Sequence, residues 1–413
     1  MVMIRPFCAL RYDLDRAGEL SGLIAPPYDV IDAQEQEQLY RASPHNVIRL
    51  ILGKQDESDT PTDNRYTRAR SDFNAWRQQQ MLRQDPAPAL YLIEHAFTAD
   101  GRQQSRLGFI ALLELAEGIE RSVFRHEQTL AAPKEDRAKL MEAVPANLEP
   151  IFCIYPDEGG KIQTALTAAT RQPPTAEAVL HGESIRLWAL TDQSLKHSIT
   201  QSLASVAVLI ADGHHRFEVA YANRKRHDAV MTYFVSMADP GLVVRPIHRV
   251  LEPGRGLAVD ALRGQCRIET APDLASLLQW LSQPQEGPGR FGAFDGRALY
   301  RLQVAPEALQ RWLHAPTVPA PVASLDVSLL HQLLLPQVGI NGTGVSYMAE
   351  APKAFEAVAQ GQAGTAWFLR GIPLPQIYAI ASQGHTLPPK STYFYPKVPS
   401  GLAIHPFSPI NTQ

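Results

Sequence analysis

The stretch VAVLIADGHHRFEVAYANRKR, residues 206–226, constrains this chain more than any other. An apolar, β-branched run ends at Ala211, the five residues Asp212-Gly213-His214-His215-Arg216 follow, and a helix-like pattern then begins. A strand that turns tightly at glycine into a helix N-terminus makes an anion site, because backbone N–H groups and the positive end of the helix dipole converge there. Gly213 lets the backbone approach a ligand closely, and Arg216 offers a planar fork of donors to phosphate oxygens. Two adjacent imidazoles and the Asp212 carboxylate add proton handling or metal binding. The same residues also suit a plain capped helix, with Asp212 as N-cap and His214, His215 and Arg216 in solvent. The run alone leaves both readings open.

At 413 residues the chain exceeds one ordinary core and implies two or three domains. We divide it into an N-terminal α+β segment (1–85), a central segment (86–255) that carries the Asp212–Arg216 run, and a C-terminal α+β segment (256–413) that could complete a site there. An apolar content of 45% and a charged content of 20% are those of a globular protein in water. The net charge of −3 provides no basic field for nucleic acid, and Arg224-Lys225-Arg226 reads as a solvated helix end. Cys8, Cys153 and Cys266 are isolated and odd in number, which fits buried thiols in a reducing cytoplasm better than disulfides or a zinc site. The N-terminus MVMIRPFCALRYD is not a signal peptide, and no stretch approaches a membrane span. The expectation is a cytoplasmic protein without nucleic-acid or membrane partners.

Along the chain, composition predicts a short strand around 4–10 and a stiff Pro-rich turn at 25–31 that presents Tyr28 and Asp29. It then predicts a helix capped by Asp32, a strand at 46–52 and an amphipathic helix at 66–84. Strands follow at 89–97 and 106–115, then a short strand around IERSVFRHE, a helix at about 133–143, a buried strand at 150–156 and a helix near 161–171. EAVLHGESIRLWAL reads as two short strands. AVMTYFVSM and VRPIHRVL read as a strand pair joined by Asp239-Pro240-Gly241. Beyond lie a helix at 273–283, a Gly-rich hairpin from 287, a linker candidate at 314–326 and a helix at 327–335. Strands and helices alternate without a regular βαβα rhythm, which argues for an α+β fold with mixed sheets.

Two further segments concentrate reactive groups. Arg125-His126-Glu127-Gln128-Thr129 is followed by Lys134, Asp136 and Arg137. A carboxylate that accepts a hydroxyl proton, beside cations that neutralise developing charge, is what phosphoryl transfer requires. A surface turn with local ion pairs has the same composition. His126-Glu127 is not a zincin site, since Leu130 stands where the second His would be. The second segment, Lys390 to Lys397 (KSTYFYPK), could contact phosphate through Lys, Ser and Thr and stack a base on its tyrosines; its alternation equally fits an edge strand. No P-loop, dinucleotide fingerprint or nucleophile elbow is present.

Taken in order, PPYDVI at 26–31, HEQT with KEDR at 126–137, DGHHRFEVA at 212–220, PIHRVL at 246–251 and PKSTYFYPK at 389–397 resemble the bacterial and archaeal family catalogued as domain of unknown function 1015. More distantly, DGHHR before a small-residue helix resembles the second nucleotide-binding box of the ParB/sulfiredoxin-like fold, which includes kinases acting on free serine. In those kinases an HE pair upstream supplies the catalytic glutamate, and His126-Glu127 matches it. The interval from Glu127 to Asp212 exceeds that of a minimal domain of this kind, so inserted strands and a helix are expected. Sulfiredoxin itself has a reactive Cys where this chain has His214. A DNA-binding ParB role is disfavoured by the acidic balance and the lack of a helix-turn-helix.

The resemblance implies an ATP- or ADP-dependent small-molecule kinase. Glu127, with His126, would be catalytic. Asp212, Gly213, His214, His215 and Arg216 would hold the nucleotide, helped by Lys134, Arg137, Lys390 and Lys397. Asp212 would be a direct or water-mediated ligand of Mg²⁺. The competing expectations are a nucleotide-binding regulator without phosphotransfer and a phosphate-ester hydrolase using the His pair.

Overall fold

The computed structural model describes residues 1–407 apart from Asp100, Leu130, Ala258, Gln285, Glu286, Ala315 and Gly342. It is an α+β protein with several sheets. Two compact units emerge, the first formed by residues 1–125, 129–243 and 396–413, the second by 126–128 and 244–395.

The first unit is built on a nine-stranded mixed sheet. Its path runs Val123–Arg125, Val208–Asp212, Ile151–Tyr155, Ala229–Ser236, Arg102–Glu114, Leu90–Ala99, Glu183–Leu190 and Ala176–Leu180, with Ile4–Arg5 added beside Arg102–Glu114. Two neighbouring pairs are parallel, Val208–Asp212 with Val123–Arg125 and Ala229–Ser236 with Ile151–Tyr155. Strands buried on both faces read as continuous apolar runs, and all eight residues of Ala229–Ser236 are buried. Helices Lys161–Ala169 and Gln193–Ala204 send Ile162, Leu166, Ile199 and Leu203 into one core with Phe109, Phe234 and Trp188. At the centre Gly108 faces Val235, where a Cβ would lie 2.6 Å from the Phe234 carbonyl oxygen and the Tyr233 ring.

The second unit carries a six-stranded antiparallel sheet in the order Cys266–Ala271, Leu299–Val304, Arg290–Phe294, Thr365–Phe368, His248–Leu251, Val345–Met348. Helices Leu274–Ser282 and Ala351–Ala359 cover one face through Leu277, Leu281, Ala354 and Val358. Asp273 caps the first of them by accepting from Ser276 N.

Several local expectations are corrected. Residues 46–52 are not a strand: Ile48–Ile51 is a helical turn, nucleated by Asn46, whose Oδ1 accepts from Ile48 N while its Nδ2 donates to Gly22 and Ile24 carbonyls. A short apolar run buried on all sides has no period to separate helix from strand. The helix expected to reach residue 84 is Arg65–Gln78; Gln80 turns with φ 58° and Leu82–Gln84 is a strand. The strand expected around 4–10 is interrupted at Pro6. Residues 119–121 form a 3₁₀ turn before strand Val123–Arg125. Ala229–Ser236 and His248–Leu251 do not pair with each other but belong to different sheets. The segment 314–326, apart from Ala315 outside the described residues, packs Val322, Ala323 and Leu325 into the second unit. Helix Gln193–Ala204 was not anticipated from composition. Cys153 and Cys266 are buried, Cys8 is half-buried, and all three are free thiols. No helix among the described residues is long and apolar enough to cross a membrane.

Gly108→Ala should therefore overpack the sheet centre and destabilise the protein by about 1–3 kcal/mol. Urea unfolding would read this as a lower midpoint at unchanged slope; an unaltered midpoint would contradict the close packing described.

Candidate functional site

Strand Val208–Asp212 delivers the turn, Gly213 adopts φ 88°, and helix His214–Ala222 begins immediately. Two constraints require glycine at 213. The left-handed backbone disfavours a side chain, and a Cβ there would meet Ile151 Cγ2 at 3.1 Å and Arg216 Cζ at 3.2 Å. Gly213 occupies the N-cap position without any side-chain cap. The expectation of Asp212 as N-cap is corrected, because Asp212 is the last residue of the strand and its carboxylate points elsewhere.

That carboxylate is held between two cations. Its Oδ2 accepts from Arg216 Nη2 at 2.8 Å, and its Oδ1 accepts from Lys397 Nζ. Burial alone would raise the Asp212 pKa; Lys397 and Arg216 outweigh it and hold the group at about 2. Arg216 also donates through Nη1 to the Pro150 carbonyl. Burial works against its charge, but Glu149, Asp212 and Asp29 overcome that and raise its pKa above the ordinary value. His214 is buried and His215 half-buried at the first turn of the helix.

The Pro-rich loop and the KEDR helix meet beside this turn. Arg137, in helix Ala131–Ala143, is 6% exposed and donates to Asp136, to the Ile51 carbonyl at 2.9 Å and to Glu149 Oε2 at 3.3 Å. Its guanidinium lies 3.8 Å from the centroid of the Tyr28 ring. Glu149 Oε1 accepts from Tyr28 N and Ser400 Oγ. Burial raises the Tyr28 hydroxyl to about 12 against the opposing pull of Arg137 and Arg216. Arg137 thus ties three segments of the first unit together, a different task from the phosphate contact expected of it. A cavity of about 50 Å³ between Arg137, Glu149 and Arg216 has room for one or two waters and not for a nucleotide.

Sequence reasoning passed over Glu218. Four residues past His214, it accepts from Arg125 Nη1 at 2.9 Å, Thr129 Oγ1 at 2.8 Å and Lys134 Nζ at 3.0 Å. Burial pushes its pKa up, yet the bonds from Thr129 and Lys134 bring it below the ordinary value. The signal was present as one acid inside a basic box, on the face of the helix that i,i+4 spacing shares with His214. Lys134 is therefore placed at the helix that follows the Gly213 turn.

The other expected residues belong to the second unit. His126 is 1% exposed; its Nε2 lies 2.9 Å from Thr392 Oγ1 and its ring meets Phe394 edge-on. Glu127 Oε1 accepts from the backbone N of Lys390 at 2.9 Å, and Lys390 itself has φ 55°. Within the segment KSTYFYPK residues 392–395 are a strand and Lys390 lies in the turn before it, which brings Thr392 and Lys390 to the HE pair. Lys397, two residues past that strand, belongs to the first unit and pairs with Asp212.

Asp212 does not fit the role of magnesium ligand expected of it. Both its oxygens are taken by cations, and among the described residues no group of three or more His, Cys, Asp or Glu side chains could hold a metal ion.

The chain belongs to the family described as "Protein of unknown function (DUF1015)", whose model matches residues 4–328. No curated protein matches it. Among solved structures it is similar to a conserved hypothetical protein from Pyrococcus furiosus at 12% identity and TM-score 0.36, covering 72% of this chain and 95% of that one. It is similar to a free serine kinase in complex with AMP at 12% identity and TM-score 0.36, covering 69% and 86%. It is also similar to SbnI with a C-terminal truncation, from Staphylococcus aureus, at 12% identity and TM-score 0.38, covering 72% and 87%.

The Asp212 pair makes a pH-dependent contribution. Its folded pKa of about 2 lies below the ordinary 3.8, so the stabilisation is full above about pH 4 and lost as pH falls through about 2. Asp212→Asn should remove about 2 kcal/mol at pH 7 and flatten the acid limb of the stability curve. Denaturation series from pH 7 to 2 measure both; parallel curves for the two proteins would refute the ion pair.

Proposed function

We propose that this chain binds ATP or ADP on the turn Asp212–Arg216 and transfers the terminal phosphoryl group to the hydroxyl of a small metabolite. Free serine is the acceptor that the sequence resemblance implies. The observation that carries the reading is the strand–Gly213–helix turn. The first intrahelical bond runs from Phe217 N to Gly213 O, so the N–H groups before it have no intrahelical acceptor and stand at the positive end of the helix dipole. An anion on the outer face of this turn gains both, with His214 and His215 as side-chain donors. Arg216, drawn back onto Asp212 and Pro150, braces the turn and adds positive charge beneath it.

In the transfer, the bond between the terminal phosphorus and its bridging oxygen breaks as the acceptor oxygen attacks. Glu127 accepts the hydroxyl proton, a role that rests on the match of His126-Glu127 to the HE pair of the serine kinases. His126, fixed by Thr392, orients that pair. Lys134 neutralises developing charge. Arg137 and Lys397 act through Glu149 and Asp212, and Lys390 through its backbone bond to Glu127.

Incubation of the purified chain with ATP, ADP or CTP and a metabolite pool, followed by mass spectrometry, should yield a new phosphorylated hydroxy compound. Nucleotide binding with no acceptor-dependent turnover would favour the regulatory alternative, and phosphate release from an ester alone the hydrolase. Glu127→Gln should keep nucleotide affinity while acceptor turnover falls about 10²–10⁴-fold; wild-type turnover would remove Glu127 from catalysis. Arg216→Ala, which removes the brace rather than a ligand contact, should weaken nucleotide binding, read by calorimetry on folded protein; unchanged affinity would detach the turn's bracing from nucleotide binding.

A further inference from the structure

In the second unit a buried cation has no counter-charge among the described residues. Arg249, in strand His248–Leu251, is 0% exposed, and no carboxylate pairs with it among the described residues. Its Nη1 donates to the Ile247 carbonyl at 2.5 Å, its Nη2 to the Pro389 carbonyl at 3.4 Å, and its Nε to His331 Nε2 at 3.0 Å. The guanidinium stands 5.0 Å from the centroid of the Tyr347 ring, its cross-strand neighbour. Burial lowers its pKa to about 10. A charge taken out of water is costly unless an opposite charge or strong acceptors compensate it. The contrast within the unit is plain, because Arg370 donates to Asp326 at 2.7 Å.

His331 carries this charge to a cavity that Ser328 also lines. Both line a space of about 570 Å³, together with Tyr347, Val318, Val322 and Leu387. Burial and the Arg249 charge pull His331 down to about 4, so its ring is neutral at pH 7. With Nε2 accepting from Arg249, the ring proton sits on Nδ1, which leaves that N–H as a donor backed by a cation. Ser328 is 0% exposed, and its hydroxyl has no hydrogen-bond partner among the described residues. The two side chains are three residues apart, at the point where helix Asp326–Leu329 widens into a π-helical segment, Leu330–Leu334. Such widenings recur at functional sites.

We infer that this cavity is a binding site for an organic monocarboxylate with an apolar body, its carboxylate accepting from Ser328 Oγ and His331 Nδ1 and its charge answering Arg249. One cation and two donors match a single negative charge and two oxygens; a phosphate dianion would ask for more of both. The wall is mixed, with Val318, Pro319, Val322 and Leu387 facing a polar share from Gln128, Gln332, His385 and Thr386, and its apolar part and volume suit a body of aromatic or branched aliphatic size. The site stands independently of the nucleotide reading, and its test uses no nucleotide.

Calorimetry on the full chain at pH 7 with phenylacetate and 3-phenyllactate should show saturable binding. The neutral isostere phenylacetamide should bind at least about tenfold more weakly. Ser328→Ala and His331→Gln should each weaken phenylacetate about tenfold or more. Arg249→Met, which replaces an uncompensated buried charge by an apolar chain, should fold and lose the preference for carboxylate over amide. Should Arg249→Met fail to fold, the Ser328 and His331 variants decide. No binding of either carboxylate, tighter binding of inorganic phosphate, or unchanged affinity in folded Ser328→Ala and His331→Gln would overturn the assignment.

Discussion

The first unit depends on one carboxylate held between two cations. Asp212 closes a buried strand, and without Lys397 and Arg216 its charge would stand at the sheet end with burial working against it. Lys397 lies 185 residues further along the chain, so the pair fastens the C-terminal return to the turn. Arg216, anchored on Asp212 and Pro150, holds the first turn of helix His214–Ala222 against strand Ile151–Tyr155. The close approach of Arg216 to Gly213 explains why even a methyl group would disturb the turn. Ion pairs of this kind contribute through mutual compensation, and removing one member leaves the other buried without it.

A second layer of compensation surrounds the first. Glu149 gathers Arg137, Tyr28 and Ser400, bringing the Pro-rich loop, the KEDR helix and the C-terminal segment to one carboxylate. Glu218 does the same for Arg125, Thr129 and Lys134. The second unit departs from this rule at Arg249, whose only side-chain acceptor among the described residues is a neutral imidazole. A cation so placed draws an anion toward the cavity that His331 and Ser328 line.

Much of the architecture was legible from residue patterns. Continuous apolar runs such as AVMTYFVSM marked strands, and Asp32 marked a helix start through its capping oxygen. The glycine turn before His214 was legible because few residues other than glycine tolerate its backbone. The strand at 46–52 was misread because an apolar run of that length, capped by a buried Asn, carries no period. The expected pairing of Ala229–Ser236 with His248–Leu251 failed for a different reason. A turn signal reports a reversal of direction, while the choice of neighbour is made by sheets whose other members are far away in sequence.

By itself the sequence determined most of the element types, the α+β class, the strand–glycine–helix form of the turn at Gly213 and the clustering of charge at 125–137 and 390–397. These follow from short-range chemistry: propensity, capping and the spacing of apolar residues. Only the tertiary structure decided which charges meet. It turned Arg137 toward Glu149, joined Asp212 to Lys397, brought Lys390 and Thr392 to the HE pair, and, among the described residues, left Arg249 without a carboxylate. Ion pairs form between side chains brought together by packing, and packing is set by the burial of whole strands and helices rather than by any local run of residues.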